Sequence, residues 1–195
     1  SNIFVGEKSG YVNTNGTGNN AFGKLALSEN IEGSDNNAFG SNALRGNTTG
    51  FSNTALGDFS MLLNTVGNSN TAVGSSSLKV NINGGSNSAL GNQSLFDNLS
   101  GYYNTGIGSL SLSNNSSGYY NSALGYNSLL SNLTGYNNSA LGRNADVGAG
   151  HLYNATALGA FARVDQSSSL VLGAINGINS ATESARIGIG TTTPL

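Results

Sequence analysis

Residues 119–125 read YYNSALG, and residues 136–142, seventeen positions on, read YNNSALG. The glycine that closes this phrase recurs at Gly6, Gly23, Gly40, Gly57, Gly74, Gly91, Gly108, Gly125, Gly142 and Gly159, always at an interval of 17. A fixed short period decides architecture before local propensity does, because each unit can bury its apolar residues only against its neighbours. Around each anchor glycine the pattern is N-x-A-φ-G-x-x-S-L-x-x-N-x-x-G-x-x, with φ apolar. Asn stands four residues before the anchor from Asn2 to Asn138, and Ala155 replaces it in the last coil. A Leu or Met column follows four after the anchor from Leu27 to Leu129, an Asn column seven after, and a second Gly column ten after, from Gly16 to Gly135.

Seventeen residues are too few for a two-helix repeat, which takes 33 or more, and two glycines with two asparagines per unit break any long helix. The period fits an all-β parallel β-roll or β-solenoid of about eleven short coils stacked at ~4.8 Å, a rod roughly 50 Å long. Each coil is expected to hold two short strands and two turns. The S-L-x-x-N segment reads as strand or extended corner, with a helical turn as the alternative. The glycines are expected to supply positive φ at the corners, and the asparagines to stack as amide ladders. The residue before each anchor (Val5, Phe22, Phe39, Leu56, Val73, Leu90, Ile107, Leu124, Leu141 and Leu158) is assigned to the structural core with the Leu column. Its neighbour, mostly Ala, then points to the opposite face. A coil so narrow has little interior, so a small apolar outer face calls for a second copy of the chain as cover, which favours a homo-oligomer.

Composition narrows the function classes. Only 8% of the 195 residues are charged and the net charge is −2, which gives no basic field for nucleic acid. No apolar stretch approaches the roughly 20 residues of a spanning helix. Cysteine is absent, which excludes disulfides and thiolate metal sites. The one histidine, His151, has no partner and reads as a loop residue of an irregular coil. Glu29, Glu32 and Asp35 share one turn but lack the Asp-per-unit pattern of calcium repeats. No nucleophile elbow or phosphate loop occurs, and the chain is read as non-enzymatic, with no catalytic residue, cofactor or metal. The later coils carry aromatics just after the second glycine: Tyr102, Tyr103, Tyr119, Tyr120, Tyr136 and Tyr153. These form either a ladder closing a turn or an exposed strip for a sugar or protein ligand.

At 154–173 the sequence runs NATALGAFARVDQSSSLVLG, and the anchor spacing shortens from 17 to 14 between Gly159 and Gly173. Asn154, Ala157, Leu158, Gly159 and Ala162, then Ser169, Val171, Leu172 and Gly173, make this stretch resemble the head repeat of YadA-like trimeric autotransporter adhesins. The shared N-x-A-φ-G core extends the resemblance over nearly the whole chain, although the 17-residue period departs from the family's usual 14. What the resemblance implies is a left-handed parallel β-roll, three chains around one axis, and a fibre outside a bacterial cell that binds host or neighbouring-cell proteins or glycans. Any membrane attachment would lie in an anchor elsewhere in a longer protein. The terminal ARIGIGTTTPL resembles the junctions of bacterial and phage fibre proteins, so a phage tail fibre is an alternative. A monomeric solenoid binder such as an ice-binding protein is another. The organisation expected is therefore regular repeats over 1–159, a shorter head-like coil over 160–184 and a junction over 185–195.

Overall fold

The computed structural model describes residues 1–185, so the junction expected over 185–195 lies, except for Ala185, outside the described residues. The chain is an all-β solenoid. Each regular coil contributes a single three-residue strand that ends just before the anchor glycine. In chain order these are β1 Ile3–Val5, β2 Asn20–Phe22, β3 Asn37–Phe39, β4 Thr54–Leu56, β5 Thr71–Val73, β6 Ser88–Leu90, β7 Thr105–Ile107, β8 Ser122–Leu124 and β9 Ser139–Leu141. Two-residue strands β10 Asp146–Val147 and β12 Arg163–Val164 alternate at the far end with β11 Thr156–Leu158 and β13 Leu170–Leu172. Strands β1 to β9, β11 and β13 form one parallel sheet in sequential order, and β10 pairs with β12 in a second. Register follows the repeat: Ser122 lies against Ser139, Ala123 against Ala140 and Leu124 against Leu141.

The regular coil therefore has one strand, not the two expected from its length. The rest is a run of tight turns. From just before S-L-x-x-N to its Leu the backbone alternates between ordinary and left-handed conformations, with φ at 58° for Asn42 and 50° for Leu44. Three-residue steps close within the coil, such as Ala43 N–H to the Gly40 carbonyl at 3.3 Å and Asn47 N–H to that of Leu44 at 3.2 Å. The alternate amides reach neighbouring coils: Asn42 N–H donates back to Lys24 and Leu44 N–H forward to Ser60. A left-handed Leu costs about 1–2 kcal/mol, comparable with the ~1.5–3 kcal/mol from burying its side chain fully. Leu27, Leu44, Met61, Leu78, Leu95, Leu112 and Leu129 are all completely buried. The segment is thus neither strand nor helical turn.

The interior has an apolar half and an amide half. Both asparagine columns are buried and stacked, as the sequence suggests. In one, Asn87 donates its backbone N–H and its Nδ2 to Asn70 Oδ1, each at 3.0 Å, and Nδ2 again to the Gly101 carbonyl at 2.8 Å. In the other, Asn98 Nδ2 donates to Asn81 Oδ1 at 2.9 Å and to the Gly101 carbonyl at 3.0 Å. Amide pairs translated by one coil spacing satisfy one another without water, which is what keeps buried polar groups from being costly.

The two glycine columns exist for different reasons. The anchor glycines adopt φ between 119° and 143°, and a Cβ there would also meet the next coil's backbone. At Gly91 it would lie 2.6 Å from the Gly108 carbonyl group. The second column has no positive φ: a side chain on Gly101 would overlap the Gly118 carbonyl oxygen and Asn98 Oδ1. Close approach, rather than corner geometry, fixes those glycines.

The assignment of the core to the residue before each anchor is corrected by the structure. The alanines point inward (Ala21, Ala38, Ala55 and Ala72 are fully buried), whereas Val5, Phe22, Phe39, Leu56, Leu90, Ile107, Leu124, Leu141 and Leu158 are exposed and Val73 is half-buried. The reason is width. The Leu column and the amides fill the coil, leaving space for only a methyl group opposite. In coil 105–107 even that is missing, and a Cβ on Gly106 would sit 2.7 Å from Ser94 Oγ. The first coil shows the same constraint inverted. Phe4 occupies the alanine column, and the Leu position opposite is Gly10, whose Cβ would fall 2.5 Å from the Phe4 ring. Volume is conserved coil by coil.

Candidate functional site

Both candidate surfaces grow out of the three-residue strand and the corner that feeds it. On each strand the middle residue faces the core, so the first and third face outward together. Eleven strands in register turn this into two parallel columns. One is small and polar from Asn20 through Asn37, Thr54, Thr71, Ser88, Thr105, Ser122 and Ser139 to Thr156, with the apolar Ile3 and Leu170 at its two ends. The other is the apolar column just described, and it runs the whole sheet, ending in Leu172, which is 40% exposed. Over β7, β8, β9 and β11 this face is a shallow groove walled by Thr105, Ile107, Leu124, Leu141 and Leu158, with Ala123 and Ala140 at its floor. The sequence indicated that one strand face needs a cover; it is the large apolar residue, not the alanine, that is left open.

The tyrosines stand on the corner immediately before the strand. Tyr102, Tyr103, Tyr119, Tyr120 and Tyr153 are exposed and Tyr136 is half-buried. The structure joins five of these six residues into stacks and sets Tyr102 beside them. Tyr119 lies on Tyr136 with ring centroids 4.9 Å apart and planes within 3°, and Tyr136 on Tyr153 at 5.2 Å and 7°. Tyr103 lies on Tyr120 at 4.9 Å and 6°, and Tyr119 meets Tyr120 edge-on. Tyr102 tilts against Tyr103 at 43° and packs over Gly85, where a Cβ would come 3.4 Å from its ring. A ring sandwiched this way offers its edge and hydroxyl outward, while its faces are covered by the neighbouring coils. Sugar stacking on the faces is thereby confined to the ends of each stack. The same arrangement recurs at Phe22 and Phe39, 4.9 Å apart, within the apolar column.

Charged residues supply little chemistry. The ion pairs Lys24–Glu7 at 3.0 Å, Arg45–Glu29 at 3.1 Å and Arg163–Asp165 at 2.7 Å lie on the surface and step from coil to coil or along one strand end, where such pairs contribute ~0–1 kcal/mol. Glu29 is tied to Arg45, so the Glu29, Glu32 and Asp35 turn is not an assembled cation site. Among the described residues no group of three or more His, Asp or Glu side chains could hold a metal ion, and no helix is long and apolar enough to cross a membrane. His151 is exposed.

One residue escaped the sequence reading. Asp146 is buried and opens β10, where the 17-residue coils give way to a two-strand cross-section, earlier than the shortened glycine spacing reveals. It accepts from Ser131 Oγ at 2.8 Å, Ser131 N–H at 3.1 Å and Val147 N–H at 2.8 Å. Burial pushes its carboxyl above the usual carboxylate range, against the opposing pull of these donors and of Arg163. The signal available was an acid in the Leu column directly before Val147. Beyond this joint both amide ladders stop: Ala155 donates only its N–H, to Asn138 Oδ1 at 2.9 Å. No family model, no curated protein and no solved structure matches this chain.

Proposed function

We propose that this chain is a non-enzymatic structural and adhesive segment of a homotrimeric surface fibre, of the kind its head-like repeats resemble. The observation that carries the reading is the outward apolar column of the eleven-stranded sheet. Ten of its eleven side chains are exposed, in one row that runs the length of the sheet, and a contiguous apolar strip of that kind marks an interaction surface. A second and third copy in parallel register match this face best, because every chain repeats the same pair of columns at the same coil spacing. Three-residue strands are narrow enough for three such faces to meet around one axis.

In this reading the mechanism is mechanical and multivalent. A rod whose backbone groups are paired coil to coil carries weak binding surfaces outward, and three copies raise their avidity. The place of action is extracellular, on a bacterial cell, and the partners beyond the chain itself are proteins or glycans of a host or neighbouring cell. Molar mass in solution tests the proposal. Three chains per particle is the expected result. A single-chain mass at micromolar concentration refutes the trimer and favours a monomeric solenoid binder, whose regular outer face would be the same Ser and Thr column.

A further inference from the structure

We propose that the tyrosine stacks are a site of oxidative cross-linking. Under a one-electron oxidant of the haem peroxidase class, Tyr119 couples to Tyr136 and Tyr103 to Tyr120, fastening three successive coils covalently. The inference is independent of whether the chain trimerises.

Composition directs an oxidant to these rings. The side chains that ordinarily react first are thiols and thioethers, and this chain has no cysteine, no tryptophan and one methionine. That methionine, Met61, is completely buried. Eight tyrosines remain, five of them in the stacks. Between Asn98 and Gly142 there is no Asp, Glu, Lys or Arg, so no ion pair holds or shields the rings.

Geometry then directs the radical to a partner. Residues seventeen apart repeat the same backbone, so their rings are related by translation, with parallel planes and hydroxyls on the same side. Tyr119 and Tyr136 are within 3° of parallel, and Tyr103 and Tyr120 within 6°, both at 4.9 Å between centroids. Each ring carbon ortho to the hydroxyl faces its equivalent on the next coil. Tyr103 and Tyr120 are 53% and 54% exposed, which leaves the hydroxyl edge open to an oxidant and the side chain free to close the remaining distance. Held on adjacent rigid coils, the two phenols meet at a high effective concentration. Tyr11 is more exposed than either and Tyr126 only slightly less, but neither lies against another ring.

The step balances with hydrogen peroxide as terminal oxidant. Each phenol gives up one electron and its hydroxyl proton, forming a phenoxyl radical, and the peroxide is reduced to two water molecules. The paired radicals form one carbon–carbon bond between ortho carbons. The two ortho protons then move to the oxygens, which restores both phenols and leaves the chain lighter by two hydrogen atoms per link.

The test treats the dilute full chain with a haem peroxidase and hydrogen peroxide, then maps cross-linked peptides by mass spectrometry. Expected are dityrosine fluorescence, Tyr119–Tyr136 and Tyr103–Tyr120 links within one chain, and migration at single-chain size on a denaturing gel. Tyr136→Phe keeps a ring in the stack but removes the phenol, so the first link disappears and the second persists. Absence of dityrosine overturns the proposal. So do links that involve Tyr11 or Tyr126 as readily as the stacked residues, or links found only between chains.

Discussion

Replacing Asn87 by alanine removes one rung from the middle of a buried amide ladder, and the structure sets the size of the effect. The Asn87 Oδ1 accepts the Asn104 backbone N–H at 3.0 Å and Asn104 Nδ2 at 3.2 Å, while its Nδ2 donates to Asn70 Oδ1 and the Gly101 carbonyl. In the variant, Asn104 Nδ2 keeps the Gly118 carbonyl at 2.8 Å, and Gly101 keeps Asn98 Nδ2. Asn70 Oδ1 keeps the residue-87 backbone N–H. The Asn104 backbone N–H, fully buried, keeps nothing. An orphaned buried donor costs about 1–3 kcal/mol, and the two lost Nδ2 bonds roughly 1 kcal/mol each, for a total of ~3–5 kcal/mol per chain. For a chain of this length that lowers the melting temperature by about 6–20 °C. Asn92→Ala is the control, since Asn92 is exposed and donates only to the Ser75 carbonyl at 3.2 Å. Thermal and urea melts of both variants decide the matter. If Asn87→Ala melts within a degree or so of Asn92→Ala, the ladder does not hold the coils together and the reasoning is wrong.

Leu124→Asp leaves the coil itself intact, because the side chain is 46% exposed in the single chain; light scattering is expected to show loss of the assembled species with an unchanged β spectrum, and an unaltered mass would show that this column is not an interface. Gly84→Ala and Gly85→Ala separate close approach from composition. A Cβ on Gly84 overlaps the Gly101 carbonyl oxygen and Asn81 Oδ1, whereas one on Gly85 comes no nearer than 3.2 Å to the Asn68 carbonyl oxygen, so the first variant should melt several degrees lower and the second stay near the parent. Asp146 supplies a pH dependence of stated sign. Its folded-state carboxyl titrates above the unfolded one, so its protonated form favours the fold: that contribution is complete below the unfolded value and is lost as pH rises through the folded one. Asp146→Asn, with an amide still able to accept from Val147 and Ser131, should remove this slope in melts taken between mildly acidic and neutral pH, and a parallel profile would reject the assignment.

The seventeen-residue register determined more about this protein than any single residue could. It set the parallel stacking, the two amide ladders and the placing of glycine at both columns, because a translation of one coil brings like residues together and only certain side chains tolerate their own copies; that each coil holds one strand, where its length suggested two, was decided by the tertiary structure. The aromatic corner was legible for the same reason. What the register could not decide is which way a residue points within one coil. Ala123 and Leu124 are adjacent and both apolar, and hydrophobicity alone favours Leu inside; the tertiary structure reverses this because Leu112, Leu129 and the asparagines already occupy the interior, and only a methyl group fits opposite. Nor does sequence announce that Leu129 adopts φ of 50°, since its intrinsic preference lies elsewhere and only burial in the finished stack offsets the strain. The tyrosines show the same division. Their spacing places them in a row, but only the packed corner decides that their faces are covered and their edges free, which follows from a coil separation close to the thickness of stacked rings.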